Sequence, residues 1–437
     1  MAKSAKQDSQ LPPGPTAKFD LHLSSDSFAT IESLINQYGD ICRIQPVRRK
    51  QYTYLVNNPD YIKHILLTNN SNYKKGIGFE RVKMLLGNGL IVSDGDFWRQ
   101  QRRMIQPSFQ KSNIALLSGA MCDSNMSLLK EWELKADSGE VINLTEDMSH
   151  LALDIILHAI FSQDVERIVE LNGGENPFLF FASDATRDLS VVLKFRALSK
   201  LIAEIISIRR HDQIDRQDFL GMFMAARDKD TGESMPDKAL IDEVTTMIVA
   251  GHETAATTLN WTWYLLSQNP KVEQTLHSEV DQLQLRAPSF EDLAKLEYIR
   301  QTLEETLRLY PPVWLFTRAA IDEDRLGPYL VPENADIMIT PYFLHRHTKY
   351  WDDPEAFLPE RFSAAQVKAR HRFVHIPFSA GPRRCIGDFF GIVEMQIHLG
   401  IMASRFSMEY IGDKPPELEP AVNLRSKHSI SMIIKRR

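Results

Sequence analysis

Cysteine is scarce in this chain. Only Cys42, Cys122 and Cys385 occur among 437 residues, and they lie far apart. That excludes a disulfide framework and any C-x-x-C zinc or redox pair, and it fits a reducing compartment, so a cytoplasmic location is expected. Long apolar runs are also missing. The most apolar stretch, Met148 to Phe161, is interrupted by His150, Asp154 and His158, so no membrane span is expected. Met1 to Gln10 is polar and lacks the apolar core of a signal peptide. Neither sign of charge dominates, and a net charge of −6 gives no reason to expect nucleic acid as a partner. No Gly/Ser-rich or Pro-rich linker divides the chain, and there is no internal repeat. One domain over residues 1–437 is therefore expected, with residues 1–10 a disordered tail and the protein a monomer. A hydrophobic fraction of 43% with 25% charged residues is ordinary for a globular chain and ample for a core.

Against that plain background one string stands out, Phe378-Ser379-Ala380-Gly381-Pro382-Arg383-Arg384-Cys385-Ile386-Gly387. It sets a cysteine between two glycines, just ahead of an apolar-striped helix expected over Asp388 to Phe406. Glycine serves where a backbone turns unusually or must approach something closely. A cysteine near a helix N-terminus faces unpaired N–H groups and the positive end of the helix dipole, which favours its thiolate. Arginines beside it suit a metal whose own ligand carries negative charge, and haem, with two propionates, is such a ligand. A lone cysteine at a turn is more often a buried structural residue.

The whole string decides between the two. Phe378, Gly381, Arg383, Cys385 and Gly387 resemble the haem-binding loop of the cytochrome P-450 monooxygenases, F-x-x-G-x-R-x-C-x-G, with every defining position filled. The resemblance implies Cys385 as the axial thiolate on the iron of haem b and Arg383 on a propionate. Phe378 would pack near the sulfur, and Gly381 and Gly387 would let the loop turn under the macrocycle. Further motifs of that family follow in order. Trp98 and Arg102, four apart on a helix with an acidic front, match W-x-x-x-R, implied to contact the propionates. Ala250-Gly251-His252-Glu253-Thr254 matches A-G-x-[DE]-T, where the family's long helix opens beside the iron. Taken without the resemblance, Gly251 and Thr254 are as readily a packing defect and a hydroxyl bonded back to its own helix. Glu305 and Arg308 match E-x-x-R, completed by Arg361 of Pro359-Glu360-Arg361-Phe362, a structural triad rather than a chemical one. Arg318 stands where many relatives place another propionate partner. His252-Glu253 lacks the following histidine of a zinc protease, and His345 and His347 lack further ligands, so both read as structural.

The fold implied by the resemblance is mainly α with small β-sheets, a single large helical prism enclosing haem. The residues themselves predict a helix from Phe28 to Tyr38, a hairpin over Asp40 to Pro46 and Gln51 to Asn57, and a flexible glycine-dotted loop from Tyr73 to Val92. The longest periodic helix is expected from Pro236 to Gln268. A movable lid over 166–218 is implied, short for the family. Phe79, Leu85, Phe180, Val313, Trp314 and Phe316 are candidate pocket residues, the last three on an apolar strand.

The chemistry implied is insertion of one oxygen atom of O2 into a lipophilic substrate: a terpenoid, steroid or fatty acid. A thiolate opposite the bound oxygen favours O–O cleavage. Thr254 as hydrogen-bond donor and Glu253 as the route to solvent would deliver the protons. No flavin, nicotinamide or iron–sulfur motif occurs, so electrons are expected from a separate ferredoxin or flavodoxin with its NAD(P)H-dependent reductase. Lys368, Arg370, Arg372 and Arg384 are a possible basic dock for it. A peroxide-driven peroxygenase is a rival disfavoured by the Glu253–Thr254 pair. A non-catalytic haem-thiolate gas sensor is another, which would need no such pair.

Overall fold

The computed structural model describes residues 10–21, 25–182, 191–283 and 287–437. The expectation of a disordered tail lies, for residues 1–9, outside the described residues. Gln10 itself is already paired, bridging Tyr329.

Helices dominate, and two kinds of end signal set them. The central helix runs Asp237–Gln268, 32 residues, about 48 Å at the usual rise. Pro236 caps its start, and Pro270 opens the next helix, Pro270–Leu283. The helix Leu144–Phe161 begins with a reciprocal cap in which Asn143 Oδ1 accepts from the Glu146 amide while Asn143 Nδ2 donates to Glu146 Oε2. From Met148 to Phe161 every side chain is buried except Ser149, His150, Asp154 and His158, and the helix lies along the central one. The helix after the cysteine string, Asp388–Met402, is likewise buried nearly all round, which makes it a core helix rather than a surface stripe. It stops four residues short of the expected end, because Phe406 opens a strand, Phe406–Tyr410.

These three helices, with Lys111–Ser138 and Glu297–Leu309, surround a core rich in large aromatics. Trp132 meets Trp263 and His398 edge-on, and Trp263 Nε1 donates to His398 Nε2 at 2.9 Å. Asn125 Oδ1 accepts from His398 Nδ1 at 2.8 Å. Burial holds that imidazole neutral, its pKa down to about 3.

The sheets are small. Five strands pair in the order Ile41–Ile44, Thr53–Val56, Asp336–Ile339, Phe316–Ala320 and Tyr73–Lys75. The expected hairpin is present, with Ile41 opposite Val56 and Ile44 opposite Thr53. The contacts of Tyr73–Lys75 with Phe316–Ala320 correct the reading of Tyr73 to Val92 as a loop. That stretch holds this edge strand and then the helix Phe79–Leu86. Lys74, Lys75 and the glycines obscured a strand whose partner lies more than 240 residues away, at Arg318 to Ala320. Val313 and Trp314 precede the strand Phe316–Ala320 instead of forming part of it.

In and beside the lid span, the helices Asp164–Leu171, Val191–His211 and Phe219–Ala225 are joined by a buried ion triad. Arg209 donates to Asp164 Oδ2 and to both oxygens of Asp218, each at 2.7 Å, and all three residues are buried. Nothing in the sequence pattern separated Arg209 from its surface neighbours Arg210 and His211. Residues 183–190 of that span lie outside the described residues.

Candidate active site

The cysteine string folds as an over-wound loop against the turn His64–Thr68. Ser379 and Gly381 both take left-handed angles, φ 59° and 71°. Cys385 N donates to Phe378 O at 2.9 Å and Arg384 N to Gly381 O at 3.1 Å, closing the loop on itself. A Cβ on Gly381 would lie 1.8 Å from Leu66 O, so both conformation and packing demand glycine there. Gly387 is different, because its φ is −94° and an added Cβ would approach only Phe109, at 3.7 Å. Neither strain nor packing within the chain calls for glycine at 387. Phe378 is tied to Cys385 through its backbone carbonyl, with its ring 6.0 Å from the Arg384 guanidinium.

Cys385 keeps accessible surface although it lies deep in the fold. Burial pushes its thiol above the ordinary value. The Gly387 N–H, Arg102 and Arg384 pull it back, while Asp388 adds to the rise. The expected preference for thiolate at a helix start is therefore outweighed by burial in the chain by itself, and a bound metal cation is what would supply the missing positive charge.

Around this loop the structure gathers cations. Arg102 Nη1 donates to Arg384 O at 2.9 Å, tying the helix Gly95–Ile105 to the loop. Arg383 lies 4.1 Å over the Trp98 ring, pairs with Asp94 and donates to Ser93 O at 3.3 Å. Arg318 is buried on its strand, its Nη1 donating to Thr317 O at 2.8 Å and its guanidinium 5.1 Å over the Phe316 ring. Burial, then the like charge of Arg383, lowers its pKa to about 10. Lys75, not foreseen as a site residue, joins them. Burial and the charges of Arg318 and Arg383 depress its ammonium well below the usual value, and it lies 4.6 Å over the Phe79 ring. Neither Lys75 nor Arg318 forms an ion pair among the described residues. A buried and a half-buried cation of this kind suit an anionic partner. With the open thiol, the room beside Gly387 and the Trp98 stack, the donor set fits haem.

The buried triad is assembled from Glu305, Arg308 and Arg361. Arg308 Nε and Nη2 donate to the two oxygens of Glu305 at 2.6 and 2.8 Å, and both residues are fully buried. Its remaining donors reach the carbonyls of His345, Pro354 and Ala356 at 3.0, 2.6 and 2.9 Å. Arg361 Nε stands 3.4 Å from Glu305 Oε1. His345 in turn accepts from the Ile376 amide at 2.9 Å, just before the cysteine string. His347 is held by Asp40 at 3.0 Å.

On the central helix Thr254 Oγ1 donates to Ala250 O at 2.8 Å. The helix continues unbroken through this turn, which corrects the expectation that it opens there. Gly251 serves helix packing, since an added Cβ would lie 2.9 Å from two carbons of Ile156 on the neighbouring helix. His252 faces away, bonded to Ser149 Oγ and Ser149 O at 2.9 and 3.1 Å, and burial lowers its pKa to about 4. Ala250, Glu253 and Thr254 are half-buried, as are Met247, Val249 and Gly251, whereas Ile248, His252 and the residues from Ala255 to Leu266 are buried.

The pocket candidates divide. Leu85 and Phe180 meet in one apolar cluster with Leu86, Phe195 and Val249 of the central helix, and Phe79 begins the helix that carries Leu85. Phe316 lies under Arg318. Trp314 is withdrawn from the pocket. It is fully buried against Phe28 at 5.4 Å, with its Nε1 on Ala421 O at 3.0 Å, in a separate core. Val313, half-buried, belongs to neither cluster. In the basic patch, Lys368, Arg372 and Arg384 are exposed, and Arg384 is paired with Asp388 at 2.6 Å. Arg370 is not part of a free surface, because it stacks 4.1 Å over Trp351.

A mainly helical fold with a deep, glycine-turned cysteine loop ringed by cations is the frame of a haem-thiolate oxygenase. The chain belongs to the cytochrome P450 family, whose model matches residues 16–172 and 175–432, and it is a cytochrome P450 monooxygenase. Among curated proteins it is 33% identical to cyclooctat-9-en-7-ol 5-monooxygenase of Streptomyces melanosporofaciens, covering 85% of this chain and 83% of that one. It is 29% identical to Protein LUTEIN DEFICIENT 5, chloroplastic, of Arabidopsis thaliana, over 98% of this chain and 78% of the other. With pentalenene oxygenase of Streptomyces avermitilis it shares 29% identity, over 86% and 85% of the two chains. Membership brings a haem-thiolate cofactor, lipophilic substrates and external electron donors as a class. Among the described residues no helix is long and apolar enough to cross a membrane.

Proposed function

We propose that this protein hydroxylates a terpenoid, using O2 and electrons from a ferredoxin or flavodoxin with its NAD(P)H-dependent reductase, in the cytoplasm. The observation that carries the site assignment is the pair of cations beside the Cys385 loop, buried Arg318 and half-buried Lys75, neither of them ion-paired among the described residues, because the nearby Asp94 carboxylate is taken by Arg383. They would hold the propionates of haem b together with Trp98 and Arg383, and Cys385 would supply its sulfur to the iron. When bound, haem supplies O2 binding and the two-electron oxidising power for C–H hydroxylation.

The chain's own residues then have three tasks. Arg102 and the buried Glu305–Arg308 pair keep the cysteine loop at fixed height. Leu85, Phe180 and Val249 exclude water and hold an apolar substrate. The Thr254 hydroxyl, with Glu253 behind it, moves protons toward the oxygen-binding side. Relatives named for a cyclooctatenol and for pentalenene favour a terpenoid over a steroid or fatty acid. Exposed Lys368, Arg372 and Arg384 support docking of an acidic electron donor, and three free cysteines suit a reducing compartment.

Reconstitution with a ferredoxin, its reductase and NAD(P)H under 18O2 tests this reading on a panel of terpenes. One 18O per hydroxylated product, dependent on the ferredoxin, is expected. Turnover with hydrogen peroxide alone at the same rate would instead make the protein a peroxygenase. Oxidation confined to fatty acids or steroids would remove the terpenoid assignment.

A further inference from the structure

Two adjacent carboxylates on the central helix, Asp242 and Glu243, have no part in the chemistry above. Both reach across to the turn Gly87–Leu90, which ends the helix Phe79–Leu86. Asp242 Oδ2 accepts from the Asn88 amide at 2.8 Å, and Glu243 Oε2 accepts from the Leu90 amide at 3.0 Å. The turn is shaped to be gripped. A Cβ on Gly87, at φ 66°, would fall 2.1 Å from Asp242 Oδ1, and one on Gly89 would fall 2.1 Å from Thr246 Oγ1. Backbone is thus pressed onto one face of the central helix at Asp242, Glu243 and Thr246. Two turns further along that helix stand Val249, which packs on Leu85, Leu86 and Phe180, and then Thr254.

We propose that Asp242 and Glu243 are specificity-determining positioning residues: a carboxyl clamp that holds the Gly87–Leu90 turn on the central helix and thereby fixes the wall made by Leu85, Leu86 and Phe180. That they set the pocket's length rests on the pocket assignment above. The clamp itself does not. Releasing it frees the helix Phe79–Leu86 to move outward, so the clamp selects shorter or more compact ligands.

Proton linkage gives the clamp a pH dependence. Glu243 is nearly inaccessible, and burial raises its pKa to about 8, opposed by the Leu90 N–H and reinforced by Asp242. Burial also raises Asp242, opposed by the Asn88 N–H and by Lys238. When the turn lifts, Glu243 is hydrated and returns toward its ordinary value, so the open form binds fewer protons than the closed one between about pH 4.5 and 8. Opening therefore becomes easier as pH rises through that window and levels off above it.

Hydrogen exchange of the Asn88 and Leu90 amides, measured on the haem-loaded full chain, tests the clamp whatever the fate of the pocket assignment. Glu243→Leu should speed Leu90 exchange about 10- to 100-fold, as expected for loss of a buried hydrogen bond. Glu243→Gln, which keeps the acceptor and the shape, should retain protection but lose the part of its pH dependence that Glu243 contributes, leaving only the part due to Asp242 beyond intrinsic exchange. Equal Leu90 protection in the wild type and Glu243→Leu overturns the clamp. The second arm titrates n-alkylimidazoles of increasing chain length, read by the shift of the haem Soret band. The preferred chain should lengthen in Glu243→Leu and Asp242→Leu and stay unchanged in Glu243→Gln. An unchanged length profile with faster exchange overturns the specificity role.

Discussion

Thr254 shows how little a single residue discloses by itself. Its hydroxyl donates to Ala250 O at 2.8 Å, a bond that any mid-helix threonine can make. If that were its whole role, Thr254→Ala would leave function intact, because alanine is the better helix former. The proposed proton role predicts otherwise. The Thr254→Ala enzyme should still load haem, bind substrate and consume NAD(P)H. Product per electron pair should fall by at least about half, with hydrogen peroxide rising to match, consistent with loss of one positioned proton donor. Unchanged coupling on the best substrate would leave Thr254 a packing residue. At this scale the sequence was most informative where a string of residues is fixed together, as around Cys385. It misled where one side chain's direction decides. Its apolar neighbours group Trp314 with the pocket, but its indole needs a hydrogen-bond acceptor and finds Ala421 O in another core. Lys75 was hidden because its burial depends on an edge strand that pairs with Phe316–Ala320 far along the chain.

Among elements, the helix Glu297–Leu309 is linked to the residues just before the cysteine loop through His345, which accepts from Arg308 and from the Ile376 amide. Glu305 accepts both Arg308 donors and the Leu358 amide, with no exposure to water. Removing either partner leaves a buried charge unmatched, at a cost of about 3–5 kcal/mol. Glu305→Ala and Arg308→Ala should therefore yield little haem-loaded protein, judged by the ratio of Soret to protein absorbance. Normal loading with an unchanged melting temperature would mean that the chain relaxes around the loss. The loop itself gives a sharper prediction. Gly381→Ala combines a left-handed φ of 71° with a Cβ placed 1.8 Å from Leu66 O, so the loop and the turn His64–Thr68 must separate. A lower melting temperature and faster haem release are expected, whereas Gly387→Ala, with only Phe109 at 3.7 Å, should spare stability measured without haem. The ends of the central helix were legible from Pro236 and Pro270, and the hairpin from its two β-rich pieces. The edge strand Tyr73–Lys75 and the unbroken turn at Ala250–Thr254 were not, since strand pairing and helix–helix contact at Gly251 and Ile156 are non-local.

In the molecule as a whole, sequence and structure divide the work. The order of motifs along the chain already implied which elements meet, but not the balance of forces where they meet. The chain places Cys385 where burial raises its thiol and places Lys75 and Arg318 where burial lowers both cations. Each opposes its own charged state, and one bound group, a metal within an anionic macrocycle, relieves all three. Haem should therefore stabilise the fold strongly, with the melting temperature of the loaded protein well above that of the haem-free chain. Equal melting temperatures would contradict that coupling. The most direct measurement of the central assignment is the absorption spectrum of the reduced protein under carbon monoxide. Thiolate ligation by Cys385 predicts a strongly red-shifted Soret band in the wild type and its loss in Cys385→Ala. A red-shifted band that survives in Cys385→Ala would contradict the account.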